Sequence, residues 1–576
     1  MGLSICDRLS CKELAIDTMY GAPAMAFKFL TKNTRTSVSF TEASTKLVLV
    51  KDVTVDVTGS GIVASGLAKA RDVVIDGTIK AGASGVLYGA ANAGDLDGSV
   101  VVSRTGSIVA GTVAVSATAA GMDIVNRGSM SGKQAGISVV GNTANIANES
   151  SIASSAGSAV LVKGAAAMVV NNGKMVGQLD ALKLSGDRIV MTNNKDISSA
   201  TAAGIVVDGL ATIVTNNGSI AARGNGITAA GASEIITNNG TVGSGATAIF
   251  AKGKNAIVTN SGVLQAGADG ILLTGAKGTL TNTKTIAVGG TALHVVADDA
   301  IVNNRGSLAG AVGISVVGDH ARGANSGTIS ASKGSAVDFT GADHASFNNS
   351  GVLSARSGVA FKSGDGQQSV TNTGTMKGDV LLGGGNDYFD GRGGTVLGKV
   401  AGGAGHDTYV IDNARTSLVE AKNAGNDLVI SSVSYTLADN FEYLTLSGTA
   451  ASNATGNGLA NQIHGNSASN RIDGKAGNDM IWGHGGADIL TGGAGADQFV
   501  FSTGDGRDVI LDFAASGQAH DILDLTNLKA ITDFADLMKH HARQDGNDVL
   551  IDATGGDSIL LKNVKLGLLD KGDFFF

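Results

Sequence analysis

The pattern that most limits the fold of this chain is Asn-x-Gly-(Ser/Thr)-(aliphatic), which returns again and again through its middle. It reads Asn126-Arg-Gly-Ser-Met130, Asn216-Asn-Gly-Ser-Ile220, Asn238-Asn-Gly-Thr-Val242 and Asn325-Ser-Gly-Thr-Ile329. Looser copies begin at Asn148, Asn171, Asn193, Asn260, Asn282, Asn304, Asn349 and Asn372, and the step between successive asparagines hardly varies. Earlier turns appear at Ile75-Asp-Gly-Thr-Ile79 and Arg104-Thr-Gly-Ser-Ile108. A nearly fixed period of roughly 22 residues marks stacked repeats. Each repeat holds a second short apolar run, such as Gly313-Ile-Ser-Val-Val-Gly318, and a third just before the asparagine, such as Ile213-Val-Thr215. Two or three short strands per repeat, without helical periodicity, describe one coil of a parallel β-helix. Asparagine tolerates left-handed turns and can hydrogen-bond to its copies in the coils above and below, so its recurrence reads as a scaffold device. Roughly fourteen coils at ~4.8 Å each give a rod of about 65 Å.

Composition supports many short strands joined by tight turns. The 576 residues include 85 glycines and a single proline, and 43% are apolar, mostly aliphatic. Charged residues make up 16%, against about 25% in ordinary soluble domains. The net charge of −8 argues against a nucleic-acid partner, which needs clustered Lys and Arg, and favours hard cations. No apolar run reaches the roughly 18–20 residues of a membrane helix. Near the N-terminus, Cys6, Asp7, Arg8, Lys12 and Glu13 break up any signal-peptide core. Cys6 and Cys11 are read as unpaired, with a local disulfide or an intermolecular link as the alternative.

β-Helices serve both sugar-active lyases and epimerases and surface adhesins, and this solenoid resembles both only in architecture. A sugar-active site needs clustered carboxylates with Lys or Arg on adjacent coils, usually with aromatic platforms. Between residues 60 and 380 the aromatics are Tyr88, Phe250, Phe339, Phe347 and Phe361. His294, His320 and His344 are spaced so that they could share one side of neighbouring coils, yet read as solvated turn residues. Asp180, Asp208, Asp269 and Asp338 read as turn residues too. Neither a His-Glu-x-x-His helix nor a Gly-x-Ser-x-Gly elbow occurs.

From residue 456 the period becomes nine. Nonapeptides begin at Gly456, Gly465, Gly474, Gly483 and Gly492. Their sixth positions are Asn461, Asn470, Asp479, Asp488 and Asp497, and their eighth are Ile463, Ile472, Ile481, Leu490 and Phe499. A six-residue loop is too tight a turn for side chains, so glycine is required where φ is positive. Positions six and eight share a parity, so the acid turns inward with the core aliphatic. Two nonads close one coil, which stacks Asp479 with Asp497 on one edge and leaves Asp488 on the other. Stacked carboxylates and backbone carbonyls suit Ca²⁺. Asn461 and Asn470 carry less charge and read as weaker or purely structural coils. A broken block precedes the run, with Gly385-Asn-Asp387, Gly402-Gly-Ala-Gly405-His-Asp407 and Gly425-Asn-Asp427, and is expected to hold one or two ions.

The last nonad, Gly-Gly-Ala-Gly-Ala-Asp-Gln-Phe-Val, matches G-G-x-G-x-D-x-U-x, so residues 380–576 resemble RTX (hemolysin-type) substrates of bacterial type I secretion. The resemblance extends through Gly506-Arg-Asp-Val-Ile-Leu-Asp-Phe513, Asp521-Ile-Leu-Asp-Leu525, Asp545-Gly-Asn-Asp-Val-Leu-Ile-Asp552 and Gly555-Gly-Asp-Ser-Ile-Leu-Leu561. It ends at Gly-Asp-Phe-Phe-Phe576, in the manner of an uncleaved export signal. A short helix is expected near 531–541.

The resulting expectation is an all-β chain, a right-handed parallel β-helix followed by a calcium-binding parallel β-roll and a β-rich secretion segment. Its parts would be a cap or assembly segment (1–45), the β-helix (46–380), degenerate repeats (381–430), connecting strands (431–455), the roll (456–500) and the C-terminal cap and signal (501–576). The metal-site candidates are Asp387, Asp407, Asp427, Asp479, Asp488 and Asp497, with Asn461 and Asn470 and with Gly402, Gly405, Gly474, Gly477, Gly483, Gly486, Gly492 and Gly495. The resemblance implies a bacterial extracellular or cell-surface protein that leaves by the type I machinery and folds on Ca²⁺ outside. Its role would be structural, as an adhesin, S-layer-like or self-assembling filament or matrix subunit, with self-association and a cell-surface polysaccharide as partners. A secreted polysaccharide lyase or epimerase is the alternative.

Overall fold

The computed structural model describes residues 26–40, 45–64, 71–89, 98–517, 519–553 and 555–576. Cys6 and Cys11, and most of the expected 1–45 segment, lie outside the described residues. Residues 26–40 already join the rod: Ala26–Leu30 pairs in parallel with Thr45–Leu49, and Val38–Phe40 with Ile62–Ala64.

The chain winds as a parallel β-solenoid with three short strands per coil. One strand stack runs the whole described length as a 25-stranded sheet. In it Asp123–Asn126 lies on Asn145–Asn148, which lies on Met168–Asn171. The second stack contains Ser129–Gly132, Ser151–Ser154 and Lys174–Gly177, and the third Ala135–Val140, Ser158–Lys163 and Leu182–Ser185. These two count as one 32-stranded sheet because Val352–Ser363 passes unbroken through both.

Strand alternation builds the core. In the first stack, residues of like parity turn inward, so Ile124, Ile146, Val169, Met191, Val214, Ile236 and Val258 form a fully buried column. Each such aliphatic contributes about 1.5–3 kcal/mol by burial. The repeated asparagine sits two residues later, at the strand end, and therefore points inward as well. Its Nδ2 donates to the Oδ1 of the next copy at 2.7–2.8 Å, from Asn126 to Asn148 and onward without a break to Asn372. Preceding coils place Val102, Ile75 and Leu49 in that register, so the Oδ1 of Asn126 has no donor.

The left-handed turn expected of these asparagines falls elsewhere. Positive φ belongs to Thr143, Ala166, Arg188, Ala211, Ser233, Asn255, Lys277, Asp299, His320 and His344, one per coil just before the first-stack strand. The ladder asparagines are ordinary strand residues whose value lies in their amides. His320 and His344 share that turn and stack with centroids 5.6 Å apart. His294 stands on a strand instead, with Nδ1 2.9 Å from Asp269 Oδ2. Asp180 and Asp269 each accept a backbone N–H at a turn, whereas Asp208 and Asp338 lie on the strands Ile205–Asp208 and Val337–Gly341.

Coil length shrinks toward the C-terminus. Paired residues are 22 apart at Asp123 and Asn145, 20 apart at Tyr388 and Thr408, and 18 apart at Met480 and Gln498. The 32-stranded sheet ends at Ser417–Val419, and a separate eight-stranded sheet starts at Tyr435–Thr436. Coils therefore pass from three strands to two while the first stack continues. Phe339, Phe347, Phe361, Phe389, Tyr409 and Phe441 are fully buried around this narrowing. They fill a core whose cross-section is changing. Counting every coil of the continuous sheet at ~4.8 Å, the rod is about 115 Å long, so the solenoid and the roll are one stack. At the far end Ser558–Leu561 adds in parallel, then Asp548–Asp552 and Ala542–Asp545 turn antiparallel over it. The expected helix is a single short helical segment, Phe534–Asp536 running into Leu537–His541.

Candidate metal centre

The residue that opens or directly precedes each first-stack strand occupies one register position along the rod. Through much of the solenoid it is a buried alanine, as at Ala144, Ala167, Ala256, Ala300, Ala321 and Ala345. From residue 368 onward it becomes Gln368, Asp387, Asp407, Asp427, Glu442, Asn461, Asp479, Asp497 and Asp521. The broken block and the strict repeats thus belong to one column. A second column on the opposite edge carries Asn470, Asp488 and Asp508.

The strand ladder fixes these carboxylates. Along most of the column a backbone N–H donates to the carboxylate of the next coil. Gln368 donates to Asp387 Oδ1, Asp387 to Asp407 Oδ1 and Asp407 to Asp427 Oδ1, at 2.7–2.9 Å. Asn461 donates to Asp479 Oδ1, Asp479 to Asp497 Oδ1 and Asp497 to Asp521 Oδ1. On the other edge Asn470 donates to Asp488 and Asp488 to Asp508. One oxygen of every aspartate is consumed. The other, Oδ2 of Asp387, Asp407, Asp427, Asp479, Asp488 and Asp497, is buried without a partner. A buried acceptor left bare costs about 1–3 kcal/mol, and more when charged.

Burial pushes these acids up, against the lowering effect of the backbone N–H, and neighbouring carboxylates push most of them further. Asp387 rises to about 8, Asp427, Asp479 and Asp488 to about 7, Asp407 to about 6, and Asp497 is raised as well. A site that is electrostatically strained without a cation, and holds six aimed, unused oxygens, fits a hard, oxygen-seeking ion.

The glycines divide into two kinds. A Cβ on the first glycine of a nonad would overlap the acid: Gly474 with Asp479, Gly483 with Asp488, Gly492 with Asp497, and Gly402 with Asp407. None of these four has positive φ; they keep open the space into which Oδ2 faces. Gly405, Gly477, Gly486 and Gly495 are the left-handed ones, with φ of 121–149°, a conformation that side chains disfavour.

Asn461 and Asn470 stand in the columns but differ from the acids. Asn461 accepts from Asn457 N–H and donates to the Phe441 carbonyl. Asn470 accepts from Asn466 N–H and donates to the Ser452 carbonyl. Both ends of each amide are already bonded.

Sequence reasoning missed Gln368, Glu420, Glu442, Asp508 and Asp521. Asp508-Val-Ile510 and Asp521-Ile-Leu523 keep the acid-x-aliphatic rhythm, with Ile510 and Leu523 fully buried, but their longer loops hid the phase. Asp508 is pushed to about 8 and Asp521 to about 6, again chiefly by burial. Asp512 and Asp557 close the last loops by accepting from Gly492 and Gly493, and from Gly504 and Gly506. Glu420 left no repeat signal at all.

Residues 464–499 match the RTX calcium-binding nonapeptide repeat family in four copies. The chain therefore carries RTX repeats, and Ca²⁺ is the cation they bind. No curated protein matches the chain. Among solved structures it is similar to the extracellular lipase LipA from Serratia marcescens, at 16% identity over 40% of each chain, with a TM-score of 0.16. The chain spans well under half of that lipase, and so loose a superposition carries no argument about activity. Among the described residues no helix is long and apolar enough to cross a membrane.

Proposed function

We propose that this calcium-binding RTX-repeat solenoid is an extracellular structural protein, exported unfolded by a type I system and completed by Ca²⁺ outside the cell. The role we assign is that of an adhesin, an S-layer-like subunit, or a self-assembling filament or matrix component. The observation that carries this reading is the column of buried, unpartnered Oδ2 atoms on the same sheet that forms the rod. Asp479 and Asp497 on one edge, Asp488 on the other, and Asp387, Asp407 and Asp427 upstream would hold the ions, with nearby loop carbonyls. Bound Ca²⁺ supplies the positive charge that lets these acids stay ionised when buried. Extracellular modules hold Ca²⁺ at about 10⁻⁴–10⁻³ M, so folding free energy would arrive with the ion where calcium is plentiful.

Two features support a structural role for the rod. Ile213, Ile235 and Ile257 are exposed and in register on successive coils, with Met168 and Ile301 exposed on the same stack. An apolar stripe of this kind suits contact with another surface. A sugar-active reading would want Asp with Lys or Arg across three adjacent coils. Among the described residues, the solenoid pairs Arg127–Glu149, Asp269–His294 and Asp338–Lys362 each join only two.

The test is to refold the full chain with and without millimolar Ca²⁺ and image it by electron microscopy. Sheets or fibres that form only with Ca²⁺ support the reading. Monodisperse rods that shorten an acidic polysaccharide would replace it with the enzymatic one.

A further inference from the structure

The coil where the larger sheet ends contains a group unlike the nonapeptide sites. Carboxylate oxygens of Asp407, Glu420 and Asp427 lie within 4.8 Å of one another, and all three residues are buried. Asp407 and Asp427 face each other along the acidic column, as the repeats arrange. Glu420 comes from a different place: it directly follows Ser417–Val419, the last strand of the 32-stranded sheet. Its orientation is set before any ion arrives. Oε1 accepts from the Gly402 N–H at 3.1 Å and from the Tyr409 hydroxyl, and Oε2 accepts from the Gly403 N–H at 3.3 Å. Asn440 Nδ2 holds the Glu420 backbone carbonyl at 3.0 Å.

Among the described residues none of the three forms an ion pair with Lys, Arg or His. Two oxygens, Asp407 Oδ2 and Asp427 Oδ2, are buried without partners on residues that are 1% and 0% exposed. Gly402 leaves the necessary room, since a Cβ there would overlap both Asp407 Oδ2 and the Tyr409 hydroxyl. Burying uncompensated charge is costly, and breaking up a satisfied buried set costs more than never forming it.

We propose that Asp407, Glu420 and Asp427 form a cation site of their own, a three-carboxylate Ca²⁺ centre completed by a residue that no nonapeptide supplies. The choice of Ca²⁺ rests on the calcium reading above, while the grouping of ligands stands independently of it. Three hard oxygen donors with no nitrogen or sulfur select Ca²⁺ over softer ions, and higher ligand charge makes the site tighter than the two-acid loops downstream. Its position has a consequence. Glu420 belongs to the end of the three-strand coils and Asp427 to the start of the two-strand coils, so an ion between them ties the two cross-sections together.

The test compares four full-length proteins by calcium calorimetry and by Tb³⁺ luminescence excited through tyrosine. They are the parent, E420Q, the roll variant D479N/D488N/D497N, and the roll variant carrying E420Q. The roll variant should keep a saturable Ca²⁺ site with Tb³⁺ emission, because the Tyr409 hydroxyl touches Glu420. Adding E420Q should weaken that site at least ~10-fold, the loss that follows even from removing an outer partner of a metal ligand. An unchanged affinity and stoichiometry would overturn the proposal. So would a roll variant with no bound Ca²⁺ while the parent binds it, which leaves the calcium reading intact. A parent that binds none sinks both. If E420Q fails to fold by circular dichroism, D427N carries the same comparison, since the same column accepts a neutral amide at Asn461.

Discussion

Replacing Asp488 by Asn should stabilise the calcium-free protein and destabilise the calcium-loaded one. Asp488 is fully buried, one oxygen accepts from the Asn470 N–H, and the other is bare. Burial pushes it from 3.8 to about 7. A folded value raised above the unfolded one means that the folded apo state binds the proton more tightly. Its stability therefore falls as pH rises from about 4 through about 7. The full penalty, about 4 kcal/mol at ~1.4 kcal/mol per pH unit of displacement, stands above pH 7. D488N removes that charge, and Asn470 one coil away shows that a neutral amide can be satisfied in this column. Allowing for an imperfectly bonded amide, the gain should be about 2–4 kcal/mol. Urea denaturation in chelator at pH 7.5, followed by far-ultraviolet circular dichroism, reads it directly. The advantage should shrink at pH 5.5 and vanish near pH 4, and in millimolar Ca²⁺ the order should reverse. If D488N in chelator at pH 7.5 is no more stable than the parent, burial of the bare carboxylate is not what makes the apo roll unstable.

Protons and Ca²⁺ compete for the same oxygens, so affinity measured by calorimetry should fall as pH drops from 8 to 6, approaching about tenfold per pH unit for each carboxylate protonated. A flat profile would contradict the raised values of Asp479 and Asp488. G483A places a methyl against Asp488 Oδ2 and should abolish binding in that loop while leaving the upstream block competent, as counted by calcium stoichiometry. In the solenoid, N238A interrupts the ladder between Asn216 and Asn260. It should cost about 2–3 kcal/mol in thermal or urea unfolding, and a loss below ~1 kcal/mol would reduce the ladder to decoration.

Much of this was legible because both repeats are local rules copied many times. A coil cannot bury its apolar face alone, so any sequence that repeats Ile-x-Asn once per coil is driven to stack with its copies in register. The same holds for Gly-x-x-Gly-x-Asp at nine, where residue parity alone turns the acid inward. The asparagine ladder was thus readable in outline, although its left-handed turns fell on Thr143, Lys277 and His320 rather than on the asparagines. Asp508 and Asp521 were half legible, because their acid-x-aliphatic rhythm survives longer loops.

Other features depend on which residues the winding brings together. That the alanine column of the solenoid becomes the acidic column of the repeats is invisible in either period, since it requires the register to hold while the coils shorten. Glu420 carries no motif, and its thirteen-residue distance from Asp407 says nothing by itself. It meets Asp407 and Asp427 only because the large sheet ends one residue before it. Periodicity told each residue which way to face, because that is decided within a strand. Which acids share an ion was decided by the stacking of coils, because only there do residues from different sheets come within ångströms of one another.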